Sequence, residues 1–231
     1  MLVTGGNRGI GLATAKAFAA AGHKVAVTYR TDPPKDDGLL PVRCDITSAE
    51  DIESAFTSIE GELGPVEVLV SNAGITADQL LLSMKEDAWS SVIDANLTGA
   101  YRVARRATSK MIRARWGRMI FVSSVVGLTG SPGQTNYAAS KAGLVGLARS
   151  LAREIGGRGV TVNVVSPGFV TTDMTDALPE ARRTEILEQV PLKRMASADE
   201  VAALITFLAS DEAGYITGAV VPVDGGLGMG H

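Results

Sequence analysis

Tyr137 and Lys141 are the two side chains of this sequence whose types and spacing could carry proton-transfer chemistry. Residues four apart share one face of a helix, so the phenol and the ammonium can line one cleft. A nearby cation favours the phenolate and lowers the pKa of a tyrosine, which is about 10 in water. Because the reduction of a carbonyl needs a proton for the developing alkoxide, the pair is typical of a site that reduces ketones.

A serine supplies a third polar group for the same cleft. Ser124 follows a predicted strand thirteen residues before Tyr137, where its hydroxyl can hydrogen-bond both a substrate carbonyl and the phenol. Its neighbour Ser123 should point to the opposite face, because side chains alternate along a strand. The Tyr-x-x-x-Lys spacing alone occurs by chance on many helices, so the interpretation depends on its combination with the serine and the glycine turn described next.

A glycine-rich turn separates the first predicted strand from the first predicted helix. Glycines there let the backbone turn tightly and approach a pyrophosphate, which then lies at the helix N-terminus. The spacing is Gly-x-x-x-Gly-x-Gly, and a purely structural turn is the alternative. The residues expected to contact a dinucleotide in this turn are Gly5, Asn7, Arg8, Gly9, Ile10 and Gly11.

The end of the second predicted strand bears on which dinucleotide binds. Arg30 lies at the strand tip and Arg8 in the glycine turn, and a guanidinium pairs well with a phosphate dianion. Asp or Glu at this place would instead hold a ribose 2′-hydroxyl. We therefore predict that NADPH is the cofactor. Asp32 weakens this prediction, because it places a carboxylate near the same strand end, and the alternative for Arg30 is a solvated surface charge.

The next two strand ends continue the same crevice. Asp45 could accept hydrogen bonds from an adenine edge, and Ile46 could pack against the ring. Asn72, Ala73 and Gly74 form a small-residue turn that allows the backbone to approach a ribose. Asn72 could equally brace the sheet through its amide, and it could do both.

These residues must be positioned by an alternation of short β-branched runs and longer helical periods. Strands are expected at Leu2–Thr4, Val25–Tyr29, Val42–Asp45, Val66–Ser71, Met119–Ser123, Thr161–Val165 and Val220–Val223. Helices are expected near Gly11–Ala21, Ala49–Leu63, Trp89–Arg115, Tyr137–Ile155 and Asp199–Ser210. This βαβ progression predicts one α/β domain over residues 1–231, with a doubly wound parallel sheet of about seven strands and helices on both faces.

The polar segment 167–191 follows a strand and is predicted to be a substrate lid, since loops at the carboxyl ends of parallel strands border the ligand crevice. An ordinary surface excursion is the alternative.

Composition excludes several other classes of protein. The formal net charge of −3 argues against a nucleic-acid binder. The single cysteine, Cys44, allows no intrachain disulfide, and no apolar stretch or leader suggests a membrane or secreted protein, so we expect the cytoplasm. His23 and His231 show no ligand-like grouping, so no metal is expected. Met1–Thr4 is typical of the tail of a buried strand, which suggests that a few residues precede it in the natural protein.

In this order, the motifs resemble the short-chain dehydrogenase/reductase family, and the similarity spans essentially the whole chain. The resemblance implies a Rossmann-type fold, with Tyr137 and Lys141 contacting both substrate and cofactor. It implies that Asn96 completes a catalytic tetrad with Ser124, Tyr137 and Lys141 by holding a water that links the lysine to solvent. It also implies that the proline–glycine turn after the sixth strand faces the nicotinamide through Pro167, Gly168, Val170 and Thr172.

Within that family the chain is similar to 3-oxoacyl-[acyl-carrier-protein] reductases, particularly their actinobacterial branch. The similarity to these reductases rests on segments 4–11, 136–143 and 162–174 and on the tail 222–226. The similarity to the actinobacterial branch rests on segments 23–28 and 65–74 and on the terminal residues 228–231. Ser71 departs from the asparagine of many relatives but touches no tetrad member. The resemblance implies NADPH-dependent reduction in fatty-acid biosynthesis, a homotetramer and docking of acidic carrier protein on arginines, of which Arg115 and Arg158 are the best candidates.

Three alternatives stay open from the sequence. The basic residues around one helix could be a solvated face or an intersubunit contact; they are Arg102, Arg105, Arg106, Lys110, Arg113, Arg115 and Arg118. The substrate could be another carbonyl, such as a polyketide, a steroid or a sugar. A nucleotide-sensing protein without activity is the more distant alternative, because all four tetrad residues are present.

Overall fold

A parallel sheet organises the chain, whose computed structural model describes residues 1–34, 38–171 and 180–229. The strands of this sheet lie in the order β3-β2-β1-β4-β5-β6-β7. Their bounds are β1 Leu2–Val3, β2 Ala26–Tyr29, β3 Leu40–Arg43, β4 Val68–Ser71, β5 Gly117–Val122, β6 Val160–Pro167 and β7 Val220–Val223. Every neighbouring pair is parallel, which confirms the predicted doubly wound α/β fold.

Helices cover both faces of the sheet. Those that the structure describes are α1 Gly9–Ala20, α2 Ala49–Leu63, α3 Glu86–Ile93, α4 Gly99–Ala114, α5 Val126–Thr129, α6 Thr135–Ile155, α7 Glu180–Gln189 and α8 Ala198–Leu208. Short 3₁₀ turns occur at Leu81–Ser83 and Gly156–Arg158. Ser48 begins α2 by accepting a hydrogen bond from the Asp51 N–H at 3.1 Å, which satisfies one of the unpaired N–H groups of the first turn.

The sheet separates two hydrophobic cores, which is why its central strands are apolar on both sides. One core packs α2, α4 and α6 on the sheet around Phe56, Met111 and Phe121. The other packs α1 and α8 on the opposite face around Phe18 and Ile205.

The predicted helix Trp89–Arg115 is wrong as a single element. The chain forms α3, then a π-helical turn over Asp94–Thr98, and then α4. In the π turn the Gly99 N–H donates to the Asp94 carbonyl, one residue further back than in an α-helix. The turn places Asn96 in the interior with 1% of its surface exposed.

The segment after β6 is tied to the body of the fold at both ends. Val170 forms an isolated β-bridge with Ala196. At the other end, the Leu192 N–H donates to the Gly225 carbonyl at 3.2 Å. Residues 172–179 of the predicted lid lie outside the described residues, and α7 follows them.

A buried arginine joins the start of β5 to the end of α8 at the amino edge of the sheet. Arg118 donates from Nε to the Ser210 carbonyl at 3.1 Å and from Nη2 to Asp211 Oδ1 at 3.3 Å. Its guanidinium lies 4.5 Å from the ring centroid of Trp116, whose indole N–H also donates to Asp211. The cluster fastens the edge of the sheet opposite the strand ends that carry the predicted site.

No helix in the described part of the chain is both long and apolar enough to cross a membrane.

Replacing the Phe121 side chain tests the core described above. Phe121 is 0% exposed and Tyr215 is 103% exposed. We expect Phe121→Ala to lower the free energy of unfolding by about 3–5 kcal/mol, since a cavity adds to the lost burial. Tyr215→Ala, the exposed aromatic control, should change it by less than about 0.5 kcal/mol. Urea unfolding at one protein concentration measures both, and equal losses would contradict this packing.

Candidate active site

The carboxyl ends of β1, β4, β5 and β6 meet at one edge of the sheet, and most of the predicted site residues lie there. The strand order reverses between β1 and β4. Parallel sheets open a ligand crevice at such a switch point, because the following loops leave in opposite directions. The fold thus brings the glycine turn and the Tyr137–Lys141 helix to one crevice.

The crevice is braced across β1 and β4 by Asn72 and Thr4. Asn72 Nδ2 donates to the carbonyls of Thr4 at 3.0 Å and Gly5 at 3.1 Å. The Thr4 hydroxyl accepts the N–H groups of Asn72 at 3.0 Å and Ala73 at 3.1 Å. Asn72 therefore holds the glycine turn against the end of β4, as the bracing alternative predicts.

Two glycines of the turn cannot carry side chains. Gly5 has φ +62°, and a Cβ there would lie 2.9 Å from the Ala73 Cα. A Cβ at Gly11 would lie 2.5 Å from Asn72 Nδ2 and would also meet the Gly5 carbonyl. The turn leads directly into the N-terminus of α1, with Arg8 in extended backbone just before it. This close backbone and the free helix end fit a pyrophosphate.

The remaining turn residues keep the same loop open at the crevice. Gly9 has φ +53° and begins α1, followed by Ile10. Asn7 Nδ2 donates to the Asp32 backbone carbonyl at 3.1 Å, which ties the turn to the loop after β2.

The charges beside the glycine turn suit a phosphate-bearing ribose. Arg8 and Arg30 are exposed and form no ion pair with a described residue. The Thr47 side chain and backbone donate to the Asp45 carboxylate and hold its pKa below the usual value, and the positive charge of Arg30 lowers it further. The Asp32 carboxylate accepts from its neighbour Thr31.

Small residues at the centre of the crevice bring its parts close together. A Cβ at Gly74 would lie 3.0 Å from Asn96 Oδ1 and 3.6 Å from Lys141 Nζ. Ile46 is half-buried, with its Cδ1 3.0 Å from where a Cβ at Gly99 would lie. The predicted adenine and ribose contacts of Ile46, Ala73 and Gly74 remain predictions.

Tyr137 and Lys141 share one face of α6, as their spacing predicts. The Lys141 Nζ lies 5.5 Å from the Tyr137 ring centroid and donates to the Val122 carbonyl at 2.8 Å. The Ser124 hydroxyl lies beside the phenol and accepts from the Val126 N–H at 3.2 Å. Ser123 points elsewhere, donating to the Lys141 carbonyl at 2.9 Å. The three predicted polar groups therefore converge on one point.

The pKa of Tyr137 shifts in the direction opposite to the expected one. Burial raises the pKa of the phenol, the Ser124 hydroxyl lowers it in part, and the negative charge of Asp78 raises it again. Burial also lowers the pKa of Lys141 to about 8. The expectation that the ammonium makes the phenol more acidic is therefore wrong for this structure, where removal from water is the larger effect.

Asn96 is held by hydrogen bonds from two elements. Its Oδ1 accepts the Ile75 N–H at 2.8 Å, and its Nδ2 donates to the Ile75 carbonyl at 3.0 Å and to Ser140 Oγ at 3.1 Å. The side chain thus fastens the π turn to the β4 loop and to α6. The water that the family resemblance assigns to Asn96 remains a prediction.

The turn after β6 closes the crevice opposite the glycine turn. The Pro167 carbonyl accepts the Val125 N–H at 2.8 Å, and the Gly168 N–H donates to the Val223 carbonyl at 3.0 Å. Val170 is 5% exposed. Their predicted contacts with a nicotinamide remain predictions, and Thr172 lies outside the described residues.

Two residues of the site were not singled out from the sequence. Asn136 is 0% exposed and donates to the Ala77 and Ala88 carbonyls at 3.0 and 3.1 Å, which fixes the first turn of α6 beside Tyr137. Asp78 acts on the phenol by its charge. Adjacency to Tyr137 is the only sequence signal for Asn136. Among the described residues, no group of three or more His, Cys, Asp or Glu side chains could hold a metal ion.

Substituting Gly11 tests whether the turn binds a dinucleotide by close backbone approach. We expect Gly11→Ala to weaken NADPH binding at least about tenfold, because the new methyl pushes Gly5 and Asn72 out of place. Gly61→Ala in α2 is the matched control, since its Cβ would meet nothing within 4 Å. Nucleotide fluorescence titration measures both affinities. Full affinity in the Gly11 variant would contradict the role given to this turn.

Comparison with known proteins agrees with this geometry. A family model described as enoyl-(acyl carrier protein) reductase matches residues 5–228. The 3-oxoacyl-[acyl-carrier-protein] reductase MabA of Mycobacterium tuberculosis (strain ATCC 25618 / H37Rv) is 56% identical over 232 residues, which cover 100% of this chain and 93% of that protein. The MabA protein of Mycobacterium avium is 54% identical, covering 100% and 90%. The 3-oxoacyl-[acyl-carrier-protein] reductase FabG of Escherichia coli (strain K12) is 46% identical, covering 99% and 96%. The chain belongs to the short-chain dehydrogenase/reductase family.

Proposed function

We propose that this protein is an oxidoreductase that uses NADPH to reduce 3-oxoacyl-[acyl-carrier-protein] to the (3R)-3-hydroxyacyl form in fatty-acid biosynthesis. The observation that carries the proposal is the convergence of Ser124, Tyr137 and Lys141 beside a glycine turn that fits a dinucleotide. Relatives that are 46–56% identical over the full chain bear the name of this activity.

NADPH would lie along the strand ends, with its phosphates on the turn of Gly5 and Gly11 and Arg8 and Arg30 nearby, and it supplies the hydride. Ser124 orients the substrate carbonyl through its hydroxyl. Tyr137 gives its proton to the new alkoxide, which is a far stronger base than a phenolate. A phenol whose pKa is raised is still protonated at neutral pH, which suits the direction of reduction.

Lys141 keeps its ammonium between the phenol and the Val122 carbonyl, where one of its three N–H groups is used. The other two are available for the ribose hydroxyls of the cofactor, as the family resemblance implies. Asn96 positions the wall of the site through Ile75 and Ser140. In this proposal the whole tetrad is in place, which disfavours a nucleotide sensor without activity.

The description of the family model names enoyl reduction, which is a second candidate activity. It differs in the bond that is reduced, a carbon–carbon double bond rather than a carbonyl. Ser124 favours the carbonyl, because its hydroxyl and the phenol together match an oxygen that becomes an alkoxide. A reductase of another carbonyl remains a third candidate, decided by the segment 167–191, which we propose is the substrate lid of this single domain.

Removing the Tyr137 hydroxyl tests the proposed activity. We expect wild-type protein to oxidise NADPH with acetoacetyl-CoA, more slowly with NADH, and not with crotonyl-CoA. Tyr137→Phe should lower turnover by about 10²-fold or more while NADPH affinity stays within about twofold, since the variant keeps the ring and loses only the proton-donating hydroxyl. Absorbance at 340 nm gives the rates. Near-normal turnover in the variant, or turnover confined to crotonyl-CoA, would contradict the proposal.

The proposed partner is acyl carrier protein, which is acidic. Of the basic residues around α4, three are engaged internally: Arg102 pairs with Asp94, Arg106 with Glu53 and Glu60, and Arg118 is buried. Arg115 and Arg158 are exposed, and Arg115 Nη2 donates to the Gly157 carbonyl at 3.4 Å, so the two lie in adjacent turns.

These two arginines lie at the amino edge of the sheet, before β5 and β6, whereas Tyr137 lies at the other end of α6. A helix of 21 residues is about 30 Å long. A carrier protein docked there would serve the site of a neighbouring subunit if two α6 helices pack antiparallel. We propose such packing within a homotetramer, and the exposed Ala142 and Gly146 on α6 leave room for it.

Charge reversal at the two arginines tests the docking proposal. We expect Arg115→Glu with Arg158→Glu to raise KM for acetoacetyl-[acyl-carrier-protein] about tenfold or more, with KM for acetoacetyl-CoA unchanged, because only the carrier protein meets the basic surface. Lys24→Glu, an exposed charge at the same sheet edge, is the control. Light scattering gives the oligomeric state of each variant. Equal effects on both substrates, or a monomer with full activity, would contradict the proposal.

A cytoplasmic location is also part of the proposal. Cys44 is buried and unpaired, which fits a reducing compartment.

A further inference from the structure

An exposed carboxylate and a glutamine form a clasp at the mouth of the site. Gln134 Nε2 donates to Asp78 Oδ2 at 2.8 Å. Gln134 immediately precedes α6 and lies three residues before Tyr137. Asp78 lies in the loop after β4, so the clasp joins the loop of one strand end to the start of the helix that carries the phenol.

Backbone bonds on both sides hold the clasp in place. The Gln79 N–H donates to the Gly133 carbonyl at 2.8 Å. The buried Asn136 side chain donates to the Ala77 carbonyl at 3.0 Å. The carboxylate of Asp78 is therefore held at a set distance from α6 although it is open to water.

The charged groups around the start of α6 come from three elements. They include Lys141 on α6 itself, Asp78 on the β4 loop, and Lys85, Glu86 and Asp87 at the start of α3, where the Lys85 N–H donates to Gln79 Oε1 at 3.1 Å. Of the three acids, Asp78 is the one whose charge acts on the phenol. Tyr137 thus has a fixed anion in the loop that packs against the start of its helix.

We infer that Asp78 is a positioning residue for the proposed reaction: held by Gln134 beside the start of α6, its carboxylate adds to burial in keeping the proton on the Tyr137 oxygen until the alkoxide takes it. As the solution becomes basic, the phenol tends to lose its proton and become a phenolate. A negative charge nearby opposes this, because it makes the phenolate less favourable. The inference rests on the proposed function for the use of the proton, but the electrostatic effect is independent of the substrate.

Asp78→Asn tests the inference, because asparagine retains an oxygen that can accept from Gln134 but lacks the charge. We expect the pKa of Tyr137 to fall by about 0.3–1 unit. The chain has four tyrosines, so ¹³C-labelled tyrosine gives a simple NMR titration in which Tyr137→Phe identifies the resonance. The basic limb of the pH profile for NADPH-dependent reduction should move to lower pH by the same amount.

Asp87→Asn is the matched control, since it removes the same charge from the neighbouring helix without touching Gln134. We expect it to leave the Tyr137 titration unchanged. We also expect the effect of Asp78→Asn on the pKa of Tyr137 to be smaller in 0.5 M NaCl, because salt at this concentration screens charges over less than the Debye length of about 8 Å at physiological ionic strength. An unchanged titration in Asp78→Asn, an equal shift in Asp87→Asn, or a shift that salt does not reduce would overturn the inference. The NMR result stands whichever carbonyl is the substrate, so failure of the proposed function is seen separately, in the turnover assay.

Discussion

The hydrogen bond from the Lys141 ammonium to the Val122 carbonyl is the contact on which the site depends. It joins the end of β5 to the helix that carries the phenol, and it provides the hydrogen-bond partner of a charge that is 4% exposed. Burying an ammonium costs several kcal/mol unless it is well partnered, so its lowered pKa records that cost. The rest of the crevice keeps water from this charge and gives it polar neighbours.

Small residues and a π turn around Lys141 allow neighbouring elements to approach one another closely. Gly74 leaves room for both Asn96 and the ammonium, and a Cβ at Gly127 would lie 3.0 Å from the backbone of α6 at Ala142. Helix α5 can therefore lie directly on α6 beneath Ser124. The π turn brings Asn96 far enough inward for its side chain to donate a hydrogen bond to Ser140 on α6. Small residues and an irregular turn together make a polar interior possible at the end of an apolar sheet.

Much of the fold could be predicted from the sequence, because apolar runs and helix-start residues report local structure. Ser48 and the α2 bounds Ala49–Leu63 are of this kind. The sequence predicts the third strand at Val42–Asp45, whereas the strand lies at Leu40–Arg43. Pro41 lies inside it, and this costs little because β3 is the edge strand of the sheet, where a missing N–H needs no partner.

The site could be predicted as a set of residues but not in its electrostatics. Tyr137 and Lys141 meet because helical spacing is local. The break between α3 and α4 depends on Asn96 bonding Ile75, a contact between distant parts of the chain that the helical period of 86–114 does not reveal. The raised pKa of Tyr137 likewise depends on burial and on Asp78, which only the folded chain brings to the phenol.

The Arg118 cluster at the amino edge has a consequence for how this scaffold can vary. It secures β5 and α8 through Ser210 and Asp211 without using any group from the crevice. Loops at the carboxyl edge of the sheet can then change in length or composition with little effect on the stability of the sheet. In a fold held together in this way, stability does not depend on the loops that determine substrate selectivity. New substrate specificities can therefore arise by exchange of those loops alone.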